Sequence, residues 1–210
     1  MNTMVMDQRP TVGAAAIGQA PSILSSILKP TVQLALWQRL RPDTLGWIDA
    51  LDWTEIDDIN SEVTGPEWSI GIAALLSEAG YPQSAAGNAL TRELSERAAA
   101  FAALLKSDRL NLRLEVIETD ACRKFHMDSV TARLLMPLHG PGTQWIDTTL
   151  GEDAPVNQLT PGDVAIFKGR RAVEVPTILH RSPPIATTGE TRLLLALTPS
   201  EDKDHSGHDD

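Results

Sequence analysis

The second half of the chain alternates apolar and polar side chains with the period of a β-strand. Leu112, Leu114 and Val116 alternate with Arg113 and Glu115, which is typical of a strand with one buried face. Further extended segments follow at residues 124–136, 143–146, 164–167, 177–180 and 192–197. The turn sequences between them are Gly140-Pro141-Gly142, Pro161-Gly162-Asp163, Pro183-Pro184 and Thr188-Gly189. Short strands at this spacing predict an antiparallel sandwich or barrel rather than a parallel sheet.

The first half shows the period of helices instead. The residues spaced as on helical faces are Leu34, Trp37 and Leu40, followed by Leu45, Ile48 and Leu51. Pro42 fits the start of the second of these helices. Two more helices are predicted over residues 69–78 and 84–107, the first ended by Gly80. Residues 29–108 are therefore predicted to be mainly helical.

The two ends of the chain differ from both halves. Residues 1–28 have few large apolar side chains, and residues 201–210 are acidic and contain His205 and His208. We expect both ends to be disordered. The pattern as a whole predicts an α+β protein in which the helices of residues 29–108 pack on a double-stranded β-helix, a cupin-like jelly roll, formed by residues 109–200. The two regions are expected to form one compact unit.

Composition narrows the function. The chain has 210 residues and a formal net charge of -10, which argues against binding to nucleic acid or to anionic membranes. The single cysteine, Cys122, excludes an intramolecular disulfide and fits a reducing compartment. The N-terminus lacks the pattern of a signal peptide, and no apolar run approaches the roughly 18 residues of a membrane helix. These features predict a cytoplasmic protein.

The candidate chemistry lies in the strand half. His126 and Asp128 are two residues apart, so on a strand their side chains point to the same face. His180 lies on a later predicted strand, and Arg192 stands near the start of the next one. Two imidazoles and one carboxylate on a rigid scaffold suit non-haem Fe(II), because coordination positions stay open for a co-substrate and oxygen. The sequence therefore predicts a divalent metal site at His126, Asp128 and His180.

Each candidate residue also has a simpler structural interpretation. A His–Asp hydrogen bond with His180 on the surface would account for the triad without metal. Arg192 is either a bidentate partner for the carboxylate of a cofactor or a salt bridge at a strand end. Arg133 is a further candidate to face the pocket. Cys122 shares strand parity with His126, so it is either a fourth, thiolate ligand or a small buried apolar residue.

The layout resembles that of the Fe(II)/2-oxoglutarate-dependent oxygenases. In those enzymes a His-x-Asp pair, a distal His and an Arg that soon follows it bind iron and the co-substrate. The segment Gly162–Phe167 leading to Leu179-His180-Arg181 also looks like their penultimate strands. The resemblance implies that His126, Asp128 and His180 hold Fe(II) and that Arg192 receives the distal carboxylate of 2-oxoglutarate.

A more extensive resemblance is to a bacterial family, the domain of unknown function 1826. The segments that carry it are Cys122–Asp128, Arg133-Leu134, Gly140–Thr143 with Trp145, Gly162–Gly169, His180–Pro184, Arg192–Leu194 and the region around Trp37. Members tend to carry a Thr-Tyr-Arg-like step before the Gly-Pro-Gly turn, where this chain has Pro137-Leu138-His139. Some members are associated with zinc-homeostasis genes, which makes zinc the alternative metal.

Three functional hypotheses follow. The first is an oxidoreductase of the Fe(II)/2-oxoglutarate type, acting on a small molecule or protein that the sequence does not specify, with no catalytic residue beyond the metal ligands. The second is a non-catalytic zinc-binding protein linked to metal homeostasis. The third is a cupin-like shell that has lost its metal. Open metal positions favour the first, and closure of the site by Cys122 would favour the second.

Overall fold

The computed structural model describes residues 13–119, 123–186 and 188–200. The α-helices are α1 (Trp68–Glu78) and α2 (Ala85–Leu105), and 3₁₀ helices cover Pro21–Leu28, Asp43–Ala50, Trp53–Glu55 and Thr148–Leu150. The strands are β1 (Ala15–Gly18), β2 (Leu34–Trp37), β3 (Ile59–Thr64), β4 (Arg109–Ile117), β5 (Ala132–His139), β6 (Gln144–Asp147), β7 (Asn157–Gln158), β8 (Val164–Lys168), β9 (Ile178–Arg181) and β10 (Arg192–Pro199).

The strands form two sheets. The larger sheet has seven strands in the order β1-β2-β8-β5-β10-β4-β3, antiparallel throughout except for the pair β1–β2. The smaller sheet has the order β7-β6-β9, and His126 extends it by a single antiparallel bridge to His180. From β4 onward the chain passes back and forth between the two sheets. The architecture is thus mixed α/β with one large sheet, and the antiparallel pairing predicted for the second half is confirmed.

One face of the larger sheet, here called the helix face, packs against the helices. It presents Leu112 and Leu114 from β4, Leu134 and Met136 from β5, and Leu195 and Leu197 from β10. These side chains cluster with Leu90, Leu94, Ala98 and Phe101 of α2. All are nearly inaccessible to solvent, and burying a side chain of this size contributes about 1.5–3 kcal/mol. This layer is the main core of the protein.

The opposite face, here called the cavity face, looks toward the smaller sheet. Leu34, Phe167 and Leu194 on this face cluster with Trp145 of β6 and Ile178 of β9. Because side chains alternate along a strand, the residues between the core leucines of β4, β5 and β10 all point to this second layer. Those residues include Arg113 and Glu115 of β4 and Arg133 of β5, and Arg192 of β10 points to the same layer.

The structure differs from the prediction at Leu34–Trp37, which forms strand β2 and not a helix. β2 pairs with β1 on one side and β8 on the other, and Leu34, Ala35 and Leu36 are all buried. A strand covered on both faces gives an apolar run that periodicity does not separate from a helix. With β3 also in this region, the expectation of a mainly helical residue range 29–108 is not confirmed.

The start of the chain also differs from the prediction. Residues 13–28, for which the composition predicts disorder, form β1 and the 3₁₀ helix Pro21–Leu28. Ala14, Ala15 and Ala16 are buried, and the Ala14 amide donates a hydrogen bond of 2.9 Å to the Asp147 carboxylate. The alanines of this segment are small enough to be buried against the neighbouring strand. The low hydrophobicity of residues 13–18 therefore reflects close packing and not disorder. Residues 1–12, Cys122 and residues 201–210 lie outside the described residues.

The remaining helices agree with the sequence pattern. The helices predicted over 69–78 and 84–107 are found as α1 and α2. The predicted helix after Pro42 is the 3₁₀ helix Asp43–Ala50, in which Leu45 and Ile48 are buried. Within the part of the chain that is described, no helix has the length and apolar character needed to cross a membrane.

Candidate metal centre

His126 and His180 face each other on neighbouring extended segments. The His126 amide donates to the His180 carbonyl and the His180 amide donates to the His126 carbonyl, both at 2.9 Å. Such a doubly bonded pair in an antiparallel ladder holds the two Cα atoms about 5.5 Å apart. The imidazole ring centroids lie 4.7 Å apart, so the main chain brings the two rings together.

Asp128 stands on a loop and not on the strand predicted over residues 124–136. The loop is held by the segment that follows β8: the Gly169 amide donates to Thr131 O, the Arg170 amide to Asp128 O and the Arg171 amide to Val130 O, at 2.8–3.2 Å. A Cβ on Gly169 would lie 1.9 Å from Val130 O, so only glycine allows this approach. These bonds replace strand pairing and fix the backbone of Asp128.

The three predicted ligands form one cluster. Asp128 Oδ1 lies 3.6 Å from His126 Nε2, and Asp128 Oδ2 lies 3.3 Å from His180 Nε2. The potential ligand atoms all lie within 4.8 Å of one another, and no other group of three His, Cys, Asp or Glu side chains in the described residues meets this criterion. Metal–ligand distances of about 2 Å place the donors of one ion roughly 3–4 Å apart. The donor set and its spacing therefore fit a divalent cation.

The imidazoles are oriented by their surroundings. His126 Nδ1 lies 2.9 Å from the Lys124 carbonyl oxygen. Because a carbonyl only accepts hydrogen bonds, Nδ1 is the donor in this contact, and Nε2 is the nitrogen that faces Asp128. His180 is buried, and its ring centroid lies 4.8 Å from that of Phe167. Packing against Phe167 limits rotation of the His180 ring.

Asp128 is ionised and paired with an arginine of the cavity face. Arg133 Nη1 lies 2.9 Å from Asp128 Oδ2, and Arg133 Nε donates to Thr198 Oγ1 at 3.2 Å. Burial raises the pKa of Asp128, but a hydrogen bond with His180 and the charges of His180, Arg133 and His126 lower it, and the net pKa lies below its usual value. The carboxylate is thus in the form that coordinates metal. Arg133, which the sequence suggested only as a further residue facing the pocket, contacts Asp128 directly.

The cluster opens into a cavity of about 400 Å³. Leu135, Leu194 and Ala196 form an apolar part of its wall, and Thr143 and Ser182 add hydroxyl groups. The lining also includes Arg113 and Glu115 of β4, the nearby acidic residues Asp58 and Glu118, and Arg181. The volume suits a small molecule.

Arg192 is buried at the edge of this cavity. It shares the cavity face of β10 with Leu194 and Ala196, is 1% exposed, and is absent from the cavity lining itself. Its Nε donates to Pro141 O, whereas Nη1 and Nη2 have no hydrogen-bond partner among the described residues. Burial lowers the pKa of Arg192 to about 10, although the charge of Glu115 raises it. A buried guanidinium that stays charged at neutral pH, and whose two Nη atoms lack a hydrogen-bond partner among the described residues, is suited to bind an anion.

Sequence reasoning missed several residues of the site. It treated Arg113 and Glu115 as the polar side of a half-exposed strand, and the structure places both in the cavity lining. Thr143 follows the Gly-Pro-Gly turn and carried no signal of its own. The signal available was the alternation in β4, since polar positions on a strand point either to solvent or to a second layer. The prediction that Cys122 is a fourth ligand falls outside the described residues.

The solved structures similar to this chain include a dioxygenase, a hydroxylase and an oxidoreductase. A dioxygenase for auxin oxidation from rice is 14% identical with a TM-score of 0.47, covering 82% of this chain and 74% of that chain. A prolyl-4-hydroxylase from Pseudomonas putida is 12% identical with a TM-score of 0.46, covering 86% and 98%. An oxidoreductase of the 2OG-Fe(II) oxygenase family from Burkholderia pseudomallei is 12% identical with a TM-score of 0.46, covering 90% and 95%.

Comparison at the level of sequence gives a family and no activity. The search of curated proteins finds no match. The model of a family described as "Protein of unknown function (DUF1826)" matches residues 18–198. This range includes His126, Asp128 and His180, all three arginines of the cavity face (Arg113, Arg133 and Arg192), the strands β2 to β9, and β10 up to Thr198. The chain therefore belongs to the DUF1826 family.

Proposed function

We propose that this protein is an Fe(II)- and 2-oxoglutarate-dependent oxygenase. The observation that carries the proposal is that His126, Asp128 and His180 converge in the lining of one cavity. Arg192 lies on the same face of β10 as the lining residues Leu194 and Ala196, and its Nη1 and Nη2 have no hydrogen-bond partner among the described residues. Two imidazoles and one carboxylate leave coordination positions open. A buried guanidinium with free N–H groups is a partner for a carboxylate that the metal does not hold.

The fold supports the same proposal. The passage of β4–β10 between two sheets, with His126 pairing at the edge of β9, supports a double-stranded β-helix. The two histidines belong to the smaller sheet and Arg192 to the larger one, whereas Asp128 lies on the loop before β5. The distance between the histidines and Arg192 is then set by the packing of the two sheets.

Each residue of the site has a role in this proposal. His126 and His180 would offer ring nitrogens to the cation, and Asp128 would offer a carboxylate that Arg133 contacts. Arg192 would bind the distal carboxylate of 2-oxoglutarate through Nη1 and Nη2, and Thr143 lines the cavity. Bound Fe(II) would supply the coupled oxidation: 2-oxoglutarate loses CO2 and becomes succinate, one atom of O2 enters succinate, and the other enters the substrate as a hydroxyl group.

The test combines metal content with turnover of 2-oxoglutarate. The protein is purified without a His-tag, reconstituted anaerobically with Fe(II), and compared with Asp128→Ala and with the control Asp108→Ala, whose side chain is 88% exposed. Oxygen-dependent succinate formation that is lost in Asp128→Ala and kept in Asp108→Ala supports the proposal. Tight zinc without succinate formation would overturn it in favour of a zinc-binding role. Failure to bind either metal would exclude both functions.

Two expectations from composition stay predictions. The net charge of -10 predicts that nucleic acid is not the substrate. The single cysteine predicts a reducing location, the cytoplasm. The measurements that test them are an electrophoretic binding assay with DNA and RNA, and the location of the protein in fractionated cells.

A further inference from the structure

The cavity face of β4 carries two opposite charges side by side. Arg113 and Glu115 are two residues apart, line the cavity, and form an ion pair through Arg113 Nη2 and Glu115 Oε1. Their side chains are 38% and 24% exposed. An ion pair at this exposure contributes little to stability, so its position inside a functional cavity calls for another explanation.

An apolar floor separates this pair from the metal cluster. In the larger sheet Ala196 pairs with Arg113 and Leu194 with Glu115, and Leu135 pairs with Ala196 from the other side. All three apolar residues line the cavity. With neighbouring strands about 4.8 Å apart, β4 lies roughly 10 Å from β5, the strand that carries Arg133 beside Asp128.

The other charged groups on the β4 side are engaged by the protein. Asp58 Oδ1 accepts a hydrogen bond from the Val116 amide, and Glu118 Oε1 accepts one from Thr191 Oγ1. Within the described residues, the side-chain hydrogen bond of Arg113 and Glu115 is to each other, and the charge of Glu115 also acts on the buried Arg192. A ligand with both charges can replace that mutual contact without leaving either side chain unpaired.

We propose that Arg113 and Glu115 bind the head group of a zwitterionic substrate, a free α-amino acid with an apolar side chain. Its carboxylate pairs with the Arg113 guanidinium and its ammonium with the Glu115 carboxylate, and its side chain lies over Ala196, Leu194 and Leu135 toward the metal cluster. This proposal rests on the proposed function, because the bound amino acid is a substrate only if the protein is an oxygenase. The binding itself does not require turnover.

The test measures binding by calorimetry, with Mn(II) and 2-oxoglutarate present and oxygen excluded. The probes are L-leucine, N-acetyl-L-leucine, which lacks the ammonium group, and L-leucinamide, which lacks the carboxylate. L-Leucine should bind, and each blocked derivative should bind at least about tenfold more weakly, the effect of losing one charge-assisted hydrogen bond. These probes need no variant, so a folding defect does not obscure the result.

Variants then assign the two charges. Arg113→Gln and Glu115→Gln should each weaken L-leucine at least about tenfold, whereas the controls Arg109→Gln and Glu62→Gln, at the far end of β4 and on β3, should not. Absence of L-leucine binding, or equal binding of the blocked derivatives, overturns the inference. If L-leucine binds in the expected pattern while no succinate forms with Fe(II), the oxygenase proposal fails and the amino-acid site stands. Succinate formation without L-leucine binding gives the reverse result.

Discussion

The two faces of the larger sheet use the same strands for opposite purposes. On the helix face, leucines of β4, β5 and β10 form a dry layer against α2. On the cavity face, the alternate positions of the same strands carry Arg113, Glu115, Arg133 and Arg192, of which the first three line the cavity. The helix face is apolar throughout, whereas the cavity face mixes three arginines and a glutamate with apolar side chains. The difference shows that stability and chemistry are separated here by the two-residue period of a strand, so a single step along β10 passes from one to the other.

The largest effect is expected on the helix face. Leu195→Ala removes a side chain that is fully buried in this layer and should lower the free energy of unfolding by about 2–5 kcal/mol, through lost burial and the cavity left behind. Urea denaturation measures the change. The matched control is Leu194→Ala on the cavity face, next to the open cavity, which should cost less. Equal losses at the two positions would contradict the separation of the faces.

The second prediction concerns Arg192, which lies on the cavity face of β10 immediately before Leu193 of the helix face. Arg192→Met should raise the free energy of unfolding by about 1 kcal/mol, because it removes a buried charge whose Nη atoms have no hydrogen-bond partner among the described residues. The same change should weaken 2-oxoglutarate about 100-fold, since a buried charge–carboxylate contact is lost. Urea denaturation and calorimetry measure the two quantities. A less stable variant with unchanged 2-oxoglutarate affinity would show that Arg192 is a structural residue.

The third prediction addresses the loop that carries Asp128. Gly169→Ala places a methyl group 1.9 Å from Val130 O, so the loop must shift and metal affinity should fall about tenfold, as for other groups that orient ligands. Competition against a fluorescent zinc chelator gives the affinity. The control is Gly71→Ala in α1, where an added Cβ meets nothing within 4 Å. It should leave the affinity unchanged and raise stability slightly.

The smallest effect is expected at Asp49, a polar contact at the border of the helix face. Its side-chain hydrogen bond with Arg41, opposed by burial and assisted by His139, lowers the pKa of Asp49 to about 2. A lowered carboxyl pKa stabilises the fold above the unfolded value of 3.8, and the contribution is lost as pH falls through 2.

Because the Asp49 side chain is 52% exposed, the stabilisation should be only roughly 0.5 kcal/mol. Asp49→Asn should be less stable than the wild type by this amount at pH 7, and the two proteins should be equally stable below pH 2. Thermal unfolding as a function of pH measures the difference. Asp108→Asn is the control. A loss that is the same at pH 7 and pH 2 would mean that the carboxylate charge does not act.

The sequence could indicate the cluster of His126, Asp128 and His180 because two of its members are close together in the chain. His126 and Asp128 lie two residues apart, and His180 lies 52 residues further on, in a separate predicted strand. The partners of these ligands could not be located in the same way. The contacts of Asp128 with Arg133 and of Arg192 with Pro141 depend on a loop conformation and on a turn, which the apolar pattern does not encode.

The first half of the chain was less predictable for a physical reason. Ala14–Ala16 and Leu34–Leu36 are buried within the sheet, the former as small side chains and the latter on both faces. Neither segment alternates, so the first indicated disorder and the second a helix. In α2, by contrast, one exposed face leaves a stripe of Leu90, Leu94 and Ala98 with the helical period. A periodic pattern of apolar residues arises only where one face of a helix or strand is exposed to solvent.

If a cation binds as proposed, the bridge between His126 and His180 links the supply of metal to the lifetime of the protein. The two residues are far apart in the chain and meet only when the sheets have assembled, so the unfolded chain does not present the site. A cation that binds the native state alone stabilises it by about 2.7 kcal/mol at a concentration 100 times its dissociation constant. Such a gain lowers the population of unfolded chains about 100-fold. The amount of this protein that escapes proteolysis would then follow the concentration of free metal, without any change in its synthesis.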